Sequence, residues 1–221
     1  MDRLGYGKAK DLLAYEGSPE KGYRIPARFE RFEQHLLARH PELSLRRLEL
    51  RHLERDAEAI WRISNVAMAD NWGFVPLERS ELVDMIGRLR PIVDTDAVWF
   101  VEDKGVPVGF ALGFPDLNVI LRKIGGRLLP FGFLRILLEA KTVKDHRLFG
   151  LAVMPAWQGR GLDVLLYLQL YRALNHRIRR LEANYILEDN RRIRNALEKL
   201  DLKLVKTYRV YEKAVALRPA G

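Results

Sequence analysis

Apolar and polar positions change period several times along this chain, and each change marks an element. LERDAEAIWRISNVAMA, ERSELVDMIGRL and the run from Leu162 to His176 read as helices. LSLRRLELRH reads as a strand, and AVWFVEDKG and VPVGFALGFPD as two more, joined at Lys104-Gly105 as a hairpin. The apolar strand RLFGLAV comes next. After the Leu162 helix follow the strand RLEANYILEDN, the short charged helix RRIRNALEKL, and LVKTYRVYEKAV as a last strand or hairpin. The alternation predicts an α/β (α+β) chain, a sheet flanked by helices.

Two stretches interrupt that alternation. Gly17, Ser18, Pro19, Gly22 and Pro26 mark a linker, after which Phe29, Phe32, Leu36 and Leu37 repeat on one helical face. Residues 17–43 are therefore expected to form a linker and a docking helix. Residues 116–146 are rich in Leu, Ile and Phe but broken by Arg122, Lys123, Arg127 and Arg135, which leaves no uninterrupted run to span a bilayer. Two short amphipathic helices separated by Gly125-Gly126 and Pro130 fit this insertion. Covering an acyl chain, lying on an anionic membrane and extending the core all remain open for it.

The composition narrows the chemistry. A chain of 221 residues with 48% hydrophobic content buries a substantial core without staples. There is no cysteine, which excludes a disulfide framework and a thiol nucleophile and is compatible with the cytoplasm. His35, His40, His52, His146 and His176 show neither paired metal spacing nor HExxH, so no metal is expected. The start of the chain lacks the apolar core of a signal peptide. A net charge of +9 favours anionic partners, but no zinc finger, RNP motif or helix-turn-helix pattern accompanies the basic clusters, so nucleic acid is a minor reading.

LFGLAVMPAWQGRGLDVLLYLQLYRAL carries the strongest functional signal. It passes from an apolar strand through a glycine-containing turn into a helix, whose first turn presents unpaired N–H groups and the positive end of the peptide dipoles. Gln158, Gly159, Arg160 and Gly161 form the turn. Neither GxGxxG nor GxxxxGK[ST] is present, which removes the common nucleotide-binding alternatives.

Together with the strand, helix and strand that follow, this pattern resembles the GNAT acyltransferase superfamily. Val153, Pro155, Gln158 and Gly161 match its V-x-P strand end and [QR]-x-x-G-x-[GA] turn, and Asn190 with Glu198-Lys199-Leu200 match its later motif. The resemblance covers Ser44 to the C-terminus, a domain at 44–217. It implies a central mixed, mostly antiparallel sheet, with the insertion between the third and fourth core strands. It also implies acyl-CoA, coenzyme A or an acyl carrier thioester as donor, held by Leu151, Ala152, Val153, Gln158, Gly159, Arg160, Gly161, Leu162, Asp163 and Asn190. Three positions depart from the family. Asp163 replaces a small residue, or caps the helix instead; Leu197 stands where a tyrosine acid is usual; and Asp201-Leu202 replaces Gly-Phe.

An amine acceptor is implied near the loop DNWGFVPL, with Asp70, Asn71, Trp72 and Phe74 as contacts. Glu182 is the candidate base through a water, and Tyr211 the candidate acid, with Tyr185 and Tyr208 as alternatives. The insertion, this loop and LEDN are together similar to bacterial ceramide-synthase-like N-acyltransferases built as tandem domains, which implies a long-chain donor and a lipid amine. A catalytically inactive thioester-binding module stands as the alternative. Peripheral membrane contact and a homodimer are further expectations.

The two ends of the chain also resemble each other. DRLGYGKAKDLLAYEG runs parallel to EKLDLKLVKTYRVYEK without a gap, pairing Leu4 with Leu200, Lys10 with Lys206, Tyr15 with Tyr211 and Glu16 with Glu212. Residues 1–16 are thus expected to be the tail of a preceding GNAT-like domain, a strand that pairs with a sheet edge or with another copy.

Overall fold

Seven strands share one sheet in the order β2-β3-β4-β5-β6-β1-β7. In chain order they are β1 (Gly7–Gly17), β2 (Leu43–Arg47), β3 (Val98–Asp103), β4 (Val106–Pro115), β5 (Asp145–Val153), β6 (Arg180–Leu187) and β7 (Lys203–Glu212). The helices are α1 (Arg28–Arg39), α2 (Leu53–Ala67), α3 (Arg79–Leu89), α4 (Asn118–Lys123), α5 (Gly132–Glu139), α6 (Leu162–Leu174) and α7 (Arg191–Lys199). The computed structural model describes residues 2–76 and 78–214, so the expected domain end at 217 lies outside the described residues. Neighbouring strands are antiparallel throughout, except for β5 and β6, which are parallel.

Burial explains the layers. Val98, Trp99, Phe100 and Val101 of β3 are all buried, so both faces of the sheet are covered and the strand reads as a continuous apolar run. On one face α6 buries Leu162, Leu165, Leu166, Leu170 and Leu174 against Trp99, Val101 and Tyr15. On the other, Ile60 and Ile63 of α2 meet Phe100 and Phe110. α1 lies on α6, where Glu33 accepts from Gln169 Nε2 (2.7 Å) and Arg172 Nη1 (2.9 Å). Both charges of the Glu33–Arg172 pair are thereby partnered. The insertion forms α4 and α5, anchored by Ile120 and Ala140 against Ile92.

The N-terminal strand, expected to pair with a sheet edge or with another copy, takes two partners within this chain. β1 lies inside the sheet, bonded to β6 on one side and β7 on the other. Its sequence fits an interior place: Leu13, Ala14 and Tyr15 are buried, and the Tyr15 hydroxyl donates to Glu198 Oε1 (3.0 Å). The segment at 203–212 is a single strand, with no hairpin.

Candidate functional site

β5 and β6 stay paired only from Asp145↔Arg180 to Leu148↔Ala183 and then part. Beyond Leu148, β5 carries an extra residue, Phe149, because Leu112 faces Gly150 while Gly113 faces Leu148. This bulge bends the strand where its partner leaves it. From Gly150 to Val153, β5 pairs with β4 on one side, and no strand of the sheet occupies the other. The free backbone groups along that edge suit an extended ligand with amides of its own.

The open edge runs directly into the glycine turn. Gly159 (φ 81°) and Gly161 (φ 89°) are both left-handed, a conformation that side chains disfavour. Gly161 is also the N-cap of α6, so the amides that follow it are the unpaired ones of the helix start. Asp163 sits in the first helical turn, and Gly161 rather than Asp163 is the N-cap, so the alternative of a capping carboxylate is not what the structure has. Gln158 braces the turn, its Nε2 donating to the Val153 carbonyl (3.0 Å) and its Oε1 accepting from Arg192 Nη1 (3.4 Å). Arg160 lies over the Trp157 ring at 4.9 Å, which keeps a second cation beside the turn. α1 closes over the same place: a Cβ on Gly161 would fall 2.3 Å from a ring carbon of Phe32.

Gln158, Asp163 and Arg192 join Leu151, Ala152, Val153 and Asn190 in lining a cavity of about 180 Å³, while Gly159, Arg160 and Gly161 lie outside that lining. Asn190 caps α7, its side chain accepting from Ile193 N (3.2 Å). Leu162 is buried in the core and offers only its backbone. A second space of about 170 Å³ fills the gap between the diverging strands and shares Met68, Asn71, Leu151 and Asn190 with the first. Phe149 borders both this space and a third, apolar cavity of about 500 Å³ between the sheet, α2, α3 and the start of α4. That volume lies within the range of small-molecule sites.

Of the loop residues, Asn71 reaches the first two spaces. Asp70 and Trp72 are exposed, and Trp72 faces Lys10 of β1 at 6.0 Å; Phe74 is half-buried. Glu182 is fully buried and held by Arg147 (3.2 Å), Arg180 (3.4 Å), Lys206 (2.5 Å) and Asn184 (3.0 Å). It is outside all three linings, so the structure does not bring it to the turn. Tyr211 lies on the outermost strand, separated from β6 by β1, and is equally remote. Leu197 is fully buried, so no phenol occupies that position.

Residues 57–201 match the model of the acetyltransferase (GNAT) family. This chain belongs to that family. GNAT enzymes use acyl-CoA donors and amine acceptors. The bacterial ceramide synthase of Caulobacter vibrioides is 32% identical over 222 residues, covering 97% of this chain and 57% of that protein. Protein YghO of Escherichia coli is 28% identical, covering 97% of this chain and 56% of its own length. The chain thus spans about half the length of the curated relatives it matches. A GCN5-related N-acetyltransferase from Sphaerobacter thermophilus superposes with a TM-score of 0.60 at 15% identity, over 96% of this chain and 53% of that one. The sheet and its flanking helices accord with this GNAT fold.

Arg192 and Tyr167 stand at this candidate site without a signal in the sequence, and Tyr185, an alternative acid from the sequence, joins them. Arg192 reads as one of a solvated basic cluster, yet the asparagine cap that starts α7 turns it to the glycine turn. Tyr167 of α6 and Tyr185 of β6 both line the gap between the strands. Burial, followed by the charge of Asp163, pushes the Tyr167 hydroxyl above the ordinary tyrosine range, so it keeps its proton at neutral pH. Among the described residues there is no cluster of three or more His, Asp or Glu side chains able to hold a metal, and no helix long and apolar enough to cross a membrane.

Proposed function

We propose that this chain carries an N-acyltransfer centre that moves a long acyl group from acyl-CoA, or an acyl carrier thioester, to a lipid amine. The observation that carries the reading is that three spaces adjoin in series through shared lining residues. The glycine turn adjoins the open strand edge, and Phe149 borders both that edge and an apolar cavity of about 500 Å³. In this reading the pyrophosphate meets the α6 amides with Arg160 and Arg192, and the pantetheine arm pairs with Gly150–Val153. The acyl chain fills the α2–α3 cavity. The amine nitrogen attacks the thioester carbonyl carbon while β5 amides hold the developing oxyanion. The C–S bond then breaks, the thiolate takes a proton from a tyrosine, and the proton that the amine loses to a water restores the tyrosine through solvent.

The buried Leu197 favours the inactive-module reading, and the two phenols in the gap favour catalysis. Titration calorimetry with coenzyme A, acetyl-CoA and palmitoyl-CoA tests donor binding, with Arg160→Glu/Arg192→Glu beside the natural chain. Both arginines are exposed, so reversing them leaves the fold intact. Affinity is expected to fall at least about tenfold, as for the loss of two charge-assisted contacts, and palmitoyl-CoA is expected to bind tighter than acetyl-CoA. Unchanged affinity would remove the turn assignment. For turnover, Tyr167→Phe or Tyr185→Phe is expected to lower kcat while donor affinity holds. If the natural chain binds donor and no amine acceptor is acylated, the inactive module is the better description.

The same reading places the protein in the cytoplasm at a membrane surface. Leu129, Phe131 and Leu138 of the insertion are exposed beside Arg127 and Arg135. Apolar residues among arginines suit an anionic lipid interface, and Leu117 and Asn118 at the start of the insertion line the apolar cavity.

A further inference from the structure

The likeness between the two ends of the chain is also a likeness of conformation. Residues 2–4 form a helical turn, Gly5 is left-handed (φ 75°) and β1 begins at Gly7. At the matching positions α7 ends, Asp201 is left-handed (φ 67°) and β7 begins at Lys203. A left-handed aspartate is uncommon, so its counterpart being a glycine in the same conformation is informative.

The pairing of β1 with β7 is symmetric about this repeat. Leu12 faces Tyr208, its own counterpart, and Asp11↔Arg209 mirrors Leu13↔Thr207. Each strand carries one extra residue, Ala9 in β1 and Val205 in β7, and these too are counterparts. Every pair in the register maps onto another pair when the strands are exchanged, which defines a local two-fold axis through Leu12 and Tyr208.

The surroundings break that symmetry. Leu200 and Leu202 are 0% and 2% exposed in the core, whereas their counterparts Leu4 and Tyr6 are 63% and 39% exposed. Tyr15 is 1% exposed beneath β6 and α7, while its counterpart Tyr211 is 37% exposed at the free edge of β7. Each exposed residue lacks the neighbour its counterpart has. What would supply all three is a second domain of this fold, whose core takes Leu4 and Tyr6 and whose counterpart of β6 lies along β7.

We infer that the outer edge of β7 seats the strand corresponding to β6 of a second GNAT-like domain, and that residues 2–17 are that domain's closing turn and strand. Each domain then completes the other's sheet: β1 enters this one, β7 enters its neighbour, and the two sheets become continuous across the axis. The relatives, of which this chain covers 57% and 56%, have room for a further domain. The inference is independent of the acyl-transfer reading.

Its test is a longer chain in which residues 18–197 are placed ahead of residue 2, so that a second copy of the fold precedes its own closing strand. Hydrogen exchange of β7 amides and unfolding of Leu4→Asp are compared with those of the single chain. A monomer whose β7 amides are protected on both edges is expected, with Leu4→Asp silent in the single chain and disruptive to the added unit. An added unit that stays unfolded, or β7 amides that exchange as fast as in the single chain, would overturn the inference. A single chain that dimerises and protects β7 by itself would overturn it too, assigning the edge to a second copy.

Discussion

At the level of single residues, position decides what a charge is worth. Asp94 is partly buried, which works to raise its pKa, but hydrogen bonds from His146 (2.9 Å) and Arg177 (2.8 Å) outweigh burial and hold it at about 2. A folded-state value below the ordinary one contributes stability above the ordinary pKa, lost as pH falls through the folded value. That contribution is on the order of 2 kcal/mol at neutral pH. Urea unfolding should therefore show the natural chain losing its advantage over Asp94→Asn between about pH 4 and pH 2; a constant difference across that window would contradict the pairing. Gly161 carries two separate costs, a left-handed backbone and the Phe32 ring. Gly161→Ala is expected to destabilise by about 1–3 kcal/mol, and Phe32→Ala in the same chain should recover only the steric part. Recovery of the whole loss would mean that the backbone there is unstrained.

Elements show where the sequence was readable and where it was not. The core strands and helices follow from period and from caps, because local pattern and tertiary burial agree for β3, α2 and α6. The glycine turn was legible for the same reason, since its requirements are local: left-handed residues followed by a helix start. Asn71 and Arg192 join the turn through loop and helix placement, and no pattern within one segment reports that two distant segments meet. Glu182 was misjudged on similar grounds. Its strand and chemistry are right for a base, but Arg147 of β5 and Lys206 of β7 arrive from other parts of the chain to join Arg180 of its own strand in holding it. The interior place of β1 was hidden too, because a strand's neighbours are set by long-range pairing. Removal of residues 1–17 should thus expose β6 and strand β7. Loss of near-ultraviolet dichroism and of a cooperative melt is expected; an unchanged melting temperature would show that β6 and β7 rejoin without β1.

For the molecule as a whole, charge and apolar exposure act together. The net charge of +9 draws the chain toward anionic surfaces, and the exposed leucines and phenylalanines of the insertion provide the apolar contact that charge alone lacks. Sedimentation with vesicles containing phosphatidylglycerol should retain the natural chain, and Phe131→Ser/Leu138→Ser should release it at a salt concentration where the natural chain stays bound. Equal release of both would assign any retention to charge only. The remaining consequence lies in the order of synthesis. β1 is made well before either of its partners, Tyr208 being 196 positions after Leu12. At ordinary rates of translation that strand waits roughly ten to forty seconds for its β7 neighbour, so a nascent chain of this protein spends that interval with an interior strand unclaimed.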